Sequence, residues 1–373
     1  MKTILLYVNI LVLAFSISCE KNKVKPKEQE KFRTVLVYLA ANNTLEGEAY
    51  KNIAQMEEAI GDIDGNLIIY TKLPYESPKL YRISKEKGRE EIKSYSSHDS
   101  SNPATLAEVI ADSKKLYPAE TYGLVLWSHA TGWIPPNAGQ IKLRSFGDDN
   151  GSYMDIKGLN QALPNDFDFI MFDACSMASV EVLYEIKDKA KYFIVSPGEV
   201  ISNGMPYNKI INDLFSKESN SYHTVAQKYY EHYNAMEGLY KSATISVVVG
   251  SKLDILAENT KRTILSQSPQ YQDYNRDQIQ RMDFDPTGNP LIAFDFGDFM
   301  AQNYNNSADY GTLTDAINQT VSFEAHTAQF NGVEINKHSG LTCYIPHPDN
   351  ETRVHGYYRT LKWYTASGYD KLF

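Results

Sequence analysis

Two side chains stand where a reacting pair would stand. His129 closes the apolar run "YGLVLWSH" (122–129), and Cys175 follows the apolar run "FDFIMFDA" (167–174). A thiol beside an imidazole is a nucleophile with a proton carrier, the combination that cysteine acyl-transfer chemistry requires. Both runs read as strands buried on both faces, and in an open α/β sheet ligands bind beyond the carboxyl ends of the strands. If the two strands are parallel neighbours, His129 and Cys175 emerge at one rim. A structural reading competes for the same residues: a strand-end histidine held by a backbone hydrogen bond, and a cysteine packed as a small buried hydrophobe.

The elements that must position this pair recur along the chain. Short apolar or β-branched runs at 34–40, 66–73, 192–197 and 243–249 join the two above. Between them lie helical patterns such as "EGEAYKNIAQMEEAIG", "NPATLAEVIADSKKLYP" and "SVEVLYEIKDKA". Strand–helix alternation predicts an α/β fold, a mostly parallel sheet with helices on both faces. In the helix expected from Ser176, the residues Val180, Leu183, Tyr184 and Lys187 follow the i, i+3, i+4, i+7 spacing of one buried face. Its positive dipole end is expected to lower the Cys175 thiol pKa. The stretch 134–164 breaks the alternation. Pro135, Pro136 and Gly139 mark a long exposed loop, Asn150-Gly151 marks a hairpin turn, and Asp155 and Pro164 bracket a short helix. After Gly250 the pattern turns to helices and polar turns, with "SGLTCYIPHPDN" as a strand carrying Cys343, so a boundary is placed near 250 with a smaller α-rich region, 251–373, behind it.

The N-terminus reads as an export signal. Lys2 precedes the apolar run "ILLYVNILVLAFSI", too short to span a bilayer comfortably, and Ser16 and Ser18 lead to Cys19 as in a lipoprotein processing site. Residues 1–18 are thus a signal peptide and Cys19 the lipidated residue, a conventional signal-peptidase site being the alternative. The charged residues that follow, to about 33, make a solvated tether. The chain carries 37 basic against 46 acidic side chains, and removing residues 1–18 takes away one more basic residue, Lys2. Such a surface argues against nucleic acid as a partner.

Three cysteines are too few for a disulfide framework, and a single Cys175–Cys343 bridge stays open at this level. Redox chemistry is disfavoured because no second cysteine lies near Cys175 in sequence. The remaining histidines, His98, His223, His232, His326, His338, His347 and His355, show no His-x-x-x-His spacing, and there is no Cys-x-x-Cys, so no zinc site is expected. "GDDNGSYMD" lacks the glycine placement and final glutamate of an EF-hand loop. Asp295 and Asp298 in "FDFGDFM" read as an N-cap and a first-turn carboxylate.

Taken together, "LVLWSHATGW" and "DACSMAS" resemble the clostripain family of caspase-like cysteine peptidases. That pattern is an apolar strand ending in Trp-x-His-Gly-x-Gly-Trp, then one ending in Asp-x-Cys, matched here by Trp127, His129, Gly132, Trp133, Asp173 and Cys175. Ala130 departs from it, standing where a glycine is usual. "SPGEVISNGMPY" is similar to the family's proline-glycine loop, with Met205-Pro206-Tyr207 in place of a tryptophan-containing ending. The resemblance covers about residues 34–250 and implies a caspase-like three-layer α/β/α peptidase domain. It further implies that Cys175 attacks the scissile carbonyl, that His129 protonates the leaving amine, and that the backbone N–H groups of Ala130 and Cys175 hold the oxyanion. Asp173 corresponds to the acidic residue linked to a preference for Arg or Lys before the cut. Residues 173 and 175 share one side of an extended strand, although a strand-end turn acceptor is the plainer role for Asp173. Cleavage in the histidine–cysteine linker activates family members, and here Lys142 and Arg144 in the 134–152 loop are the candidate self-cleavage sites. Calcium supports some relatives, but no ligand set can be named, so no cofactor is expected. The expectation is an exported, lipid-anchored endopeptidase made as a zymogen and acting on protein or peptide substrates. Its rival is a binding lipoprotein that keeps the fold without the chemistry.

Overall fold

The computed structural model describes residues 31–134, 145–267, 274–284, 292–347 and 352–372. The first twelve strands are β1 (Lys31–Ala40), β2 (Gly65–Lys72), β3 (Lys79–Ser84), β4 (Gly88–Ser94), β5 (Ala119–Trp127), β6 (Phe146–Asp149), β7 (Ser152–Met154), β8 (Phe167–Asp173), β9 (Ala190–Val195), β10 (Thr244–Val249), β11 (Phe294–Asp295) and β12 (Val321–His326). Nine of them form one sheet in the order β12-β10-β9-β8-β5-β1-β2-β3-β4. The five central strands, β9 to β2 in that order, are parallel to their neighbours, and antiparallel pairs extend the sheet at both edges.

Alternation along each central strand divides the interior in two. On β5 Leu124 and Leu126 enter one core while Val125 and Trp127 enter the other, and on β8 Ile170 and Phe172 part from Phe169 and Met171 in the same way. Both sets need a cover of helices. The first nine α-helices are α1 (Glu46–Ala59), α2 (Pro103–Leu116), α3 (Ile156–Ala162), α4 (Val180–Ile186), α5 (Tyr207–Ile210), α6 (Ser221–Asn234), α7 (Leu253–Leu265), α8 (Phe296–Tyr304) and α9 (Tyr310–Thr320). Apolar residues of α1, α5 and α6 pack on one face, and those of α2, α3, α4, α7, α8 and α9 on the other. This is the expected three-layer α/β/α arrangement with a caspase-like central sheet.

The β3–β4 hairpin has no counterpart in the sequence reading. Its outer strand, "GREEIKS", is charged and has no residue buried, the composition that protects an exposed sheet edge and hides it from an apolar-run search. Residues from Lys31 onward form one compact unit. The elements after Gly250 share the larger core with α2, α3 and α4, and β12 joins the sheet itself.

Candidate active site

Register brings His129 and Cys175 to one rim. β5 and β8 pair in parallel with Trp127 opposite Asp173, so two residues further along each chain come His129 and Cys175. The Ser128 N–H donates to the Asp173 carbonyl at 3.4 Å and extends the pairing to the rim. His129, Asp173 and Cys175 line a single pocket of about 240 Å³, with Leu45, Val200 and Ile201 among its walls.

The chain leaves β8 through a strained turn. Ser176 has φ of +60°, a left-handed conformation that costs a side-chain-bearing residue about 1–2 kcal/mol. Hydrogen bonds over-determine it: the Ser176 N–H donates to Gly198 O at 2.8 Å and the Ala178 N–H to Ser196 O at 3.0 Å. Helix α4 starts only at Val180, with Ser179 as N-cap accepting from the Val182 N–H at 3.2 Å. The expected helix from Ser176 is corrected accordingly, because the four residues after Cys175 are committed to this turn. The expected dipole effect fails with it, since α4 is short and distant.

The Cys175 thiol is instead pushed up to about 12, chiefly by burial; the Val200 N–H works against the rise and the fields of Glu199 and Asp173 add to it. The Val200 N–H donates to Sγ at 3.3 Å, and the S–H donates to Val200 O at 3.5 Å. In this arrangement Cys175 is a neutral thiol held by one loop residue.

His129 Nε2 shares a hydrogen bond of 2.9 Å with Thr44 Oγ1. The segment carrying Thr44 is itself fixed, since Asn43 donates to Ala40 O at 2.9 Å and to Asp148 O at 2.8 Å. Ala130 is buried, packs in the larger core and bridges Phe146. It is absent from the residues with positive φ, so alanine occupies the position without backbone strain. Gly132 is different: its φ is +70°, and a Cβ there would lie 2.8 Å from Ser176 O. Glycine is required because the histidine loop lies directly on the cysteine turn.

Asp173 is 4% exposed. Its Oδ2 accepts from the Met205 N–H at 3.0 Å and from the Tyr207 hydroxyl at 2.9 Å. Oδ1 takes no hydrogen bond from the described residues. Burial pushes the carboxyl up to about 6, and the two hydrogen bonds work against the rise. Gly204 closes over it with φ of +69°, where a Cβ would sit 2.7 Å from Oδ2. The result is a buried acid at the pocket wall, with one oxygen that no described residue engages.

Lys142, Arg144 and Cys19 lie outside the described residues. Cys175 and Cys343 are both free, which closes the bridge left open by the sequence. Sequence reasoning missed Thr44, Val200 and Tyr207. Val200 and Tyr207 both lie in the stretch already singled out by its likeness to the proline-glycine loop, but the Val200 contact is made by backbone atoms, which no residue type announces.

The clostripain family profile, Peptidase C11, matches residues 37–350. Among solved structures, the chain is similar to a secreted C11 cysteine protease from Bacteroides thetaiotaomicron in complex with an irreversible peptide inhibitor. The two are 29% identical with a TM-score of 0.80, covering 91% of this chain and 99% of that one. It is also similar to an inactive zymogen C11 protease from Parabacteroides distasonis, at 31% identity and a TM-score of 0.78, covering 90% of this chain and 98% of that one. No curated protein matches the chain. With the profile spanning most of the sequence and the histidine–cysteine rim in place, the chain belongs to the clostripain family of cysteine peptidases.

Proposed function

We propose that the protein is an exported endopeptidase that cuts after Arg or Lys through a His129–Cys175 dyad. The observation that carries this reading is the shared pocket of His129, Cys175 and Asp173, with one Asp173 oxygen unengaged by the described residues. A guanidinium or ammonium entering the pocket gains a charge-assisted hydrogen bond from a desolvated carboxylate, an interaction that a neutral side chain cannot make. Cys175 Sγ then attacks the carbonyl carbon and its proton passes by way of His129 to the leaving amine. The N–H groups of Ala130 and Cys175 are the candidate oxyanion donors.

The neutral, Val200-bonded thiol suits a resting zymogen, in keeping with the zymogen form of the similar Parabacteroides distasonis protein. In this reading Cys175 cuts the chain after Lys142 or Arg144 in the 134–152 loop and so activates it. Export rests on the leader at 1–18 and on the description of the similar Bacteroides thetaiotaomicron protein as secreted. Attachment would be through lipid on Cys19, and lipid-precursor labelling that survives Cys19→Ala would remove the anchor from the proposal. The central test is a set of fluorogenic peptides bearing Arg, Lys, Asp or Leu before the reporter. Turnover of Arg and Lys peptides is expected. Turnover of none would favour a binding protein on this fold, and turnover after Asp would overturn the role of Asp173. In the same preparations, Cys175→Ala protein that splits with wild-type kinetics would refute self-cleavage.

A further inference from the structure

Far along the sheet from the pocket, edge strand β12 presents a second set of reactive side chains. Phe323 and Ala325 pack into the smaller core with Ile245 and Val247, so Glu324 and His326 turn to the other side of the strand. The chain returns across that side. Gly340 lies so close that a Cβ would be 2.8 Å from Val321 Cγ1 and 3.1 Å from Glu324 Cβ, and Ser246 Oγ donates to Gly340 O at 2.7 Å. His338 is thereby laid on the strand pair. Its Nδ1 donates to Glu324 Oε2 at 2.5 Å, and its ring centroid is 4.7 Å from that of His326. One donor atom from each of Glu324, His326 and His338 lies within 4.8 Å of the other two.

Two details make this more than a histidine–carboxylate pair. His326 Nδ1 is 2.9 Å from Thr327 O; a carbonyl only accepts, so Nδ1 carries the proton and Nε2 keeps its lone pair, the arrangement that orients metal-bound imidazoles. The His338 side chain is 0% exposed, and its Nε2 has no hydrogen-bond partner among the described residues. A buried polar nitrogen left unsatisfied is costly and calls for a ligand or a special role.

We propose that Glu324, His326 and His338 bind a divalent transition metal of the zinc class. Two imidazoles and one carboxylate are a borderline-soft donor set suited to zinc, whereas calcium takes six to eight oxygens. Zinc–nitrogen bonds of about 2.0–2.1 Å put tetrahedral ligands about 3.4 Å apart, so binding draws the three donors inward by small side-chain rotations. Glu324 is 41% exposed, which leaves the fourth position to solvent. The metal would pin β12 to the segment beginning at His338. That segment continues to Thr342, whose N–H donates to Ala178 O at 3.1 Å beside the cysteine turn. Spacing concealed the site, because a Glu-x-His pair converges on a strand of period two and the third ligand comes from a separate segment.

The test uses untagged full chain carrying Cys175→Ala, so that the pocket thiol cannot compete, titrated with Zn²⁺ in a calorimeter and with Co²⁺ by visible absorption. One saturable site per chain, a cobalt d–d band and a Tm raised by several degrees are expected. His326→Gln and Glu324→Gln should each weaken binding by at least about tenfold. Glu324→Gln, at an exposed position, should keep the metal-free Tm, so that lost binding is not lost folding. Absence of saturable binding overturns the proposal, and so does binding that both substitutions leave unchanged. Neither result bears on peptide hydrolysis, so this inference and the peptidase specificity fail separately.

Discussion

Either side of the turn after β8 holds a free thiol, a buried carboxyl group and a tyrosine hydroxyl, yet the two are enclosed differently. On the pocket side are Cys175, Asp173 and Tyr207. On the other are Cys343, Glu181, Tyr358 and Tyr369. Burial acts alike on both: it pushes Cys175 up to about 12 and Cys343 well above its ordinary value, and it pushes Asp173 up to about 6 and Glu181 up to about 7. The difference is in what surrounds them. Among the described residues, the Asp173 and Cys175 side chains take their hydrogen bonds from residues 200–207 and open on a pocket shared with His129. Glu181 is 0% exposed and Cys343 1% exposed, closed in by the C-terminal segment. A shifted pKa therefore does not separate the two thiols; access and a pocket shared with an imidazole do.

The comparison breaks first at the thiols. Cys175→Ala should lower kcat/KM on Arg peptides by at least about 10⁴-fold with the fold intact. Cys343→Ala should keep kcat/KM within about threefold and cost about 1–2 kcal/mol of stability by opening a small void. Matched kinetics and urea unfolding of the two variants decide this. An inactive Cys343→Ala protein of native stability would mean that the enclosed side takes part in the chemistry.

What the sequence disclosed follows the same division. The rim positions of His129, Asp173 and Cys175 were legible because period-two strands fix which residues reach the rim and on which side. Asp155 as N-cap and the Asn150-Gly151 turn were equally legible, being written in local chemistry. The start of α4 was not, since the bonds from Ser176 and Ala178 to residues 196 and 198 override a helical spacing that continues back to the cysteine. Nor was the Val200 contact, which is made by backbone atoms of a residue 25 positions away. The β3–β4 edge and the Glu324–His326–His338 cluster escaped for a shared reason. Both depend on tertiary pairing of segments whose polar composition reads locally as surface.

A smaller effect should separate the two acids. Asp173→Asn removes the charge but keeps an oxygen for the Met205 N–H and the Tyr207 hydroxyl, so the loss should fall on basic substrates: about 10²–10³-fold in kcat/KM for Arg, and much less for Leu. In the wild type the carboxyl pKa is raised to about 6, so acidification through pH 6 protonates it and the Arg-to-Leu ratio of kcat/KM should fall. Taking the ratio cancels any titration that affects both substrates alike. A ratio independent of pH from 5 to 8, or one unchanged by Asp173→Asn, would detach Asp173 from selectivity.

Glu181→Gln should leave kcat/KM unaltered and act on stability alone. The Glu181 pKa is raised from 4.5 to about 7 by burial, against hydrogen bonds from the Tyr344 N–H and the Tyr358 hydroxyl. Between those values the folded protein holds a proton that the unfolded chain has released. Stability therefore falls as pH rises, by about 1.4 kcal/mol per pH unit and up to about 3 kcal/mol in all, and is fully present only below about pH 4.5. Glutamine keeps an oxygen for both donors, and any cost of its buried amide is the same at every pH. Urea unfolding at pH 5 and pH 8 should then show a smaller pH-dependent loss for Glu181→Gln than for wild type. Asp173 contributes a slope of the same sign to both proteins, so it cancels in the difference. Equal slopes would mean that Glu181 is ionised in the folded protein near neutrality, and the enclosed side would then hold a stable buried anion that the pocket side does not.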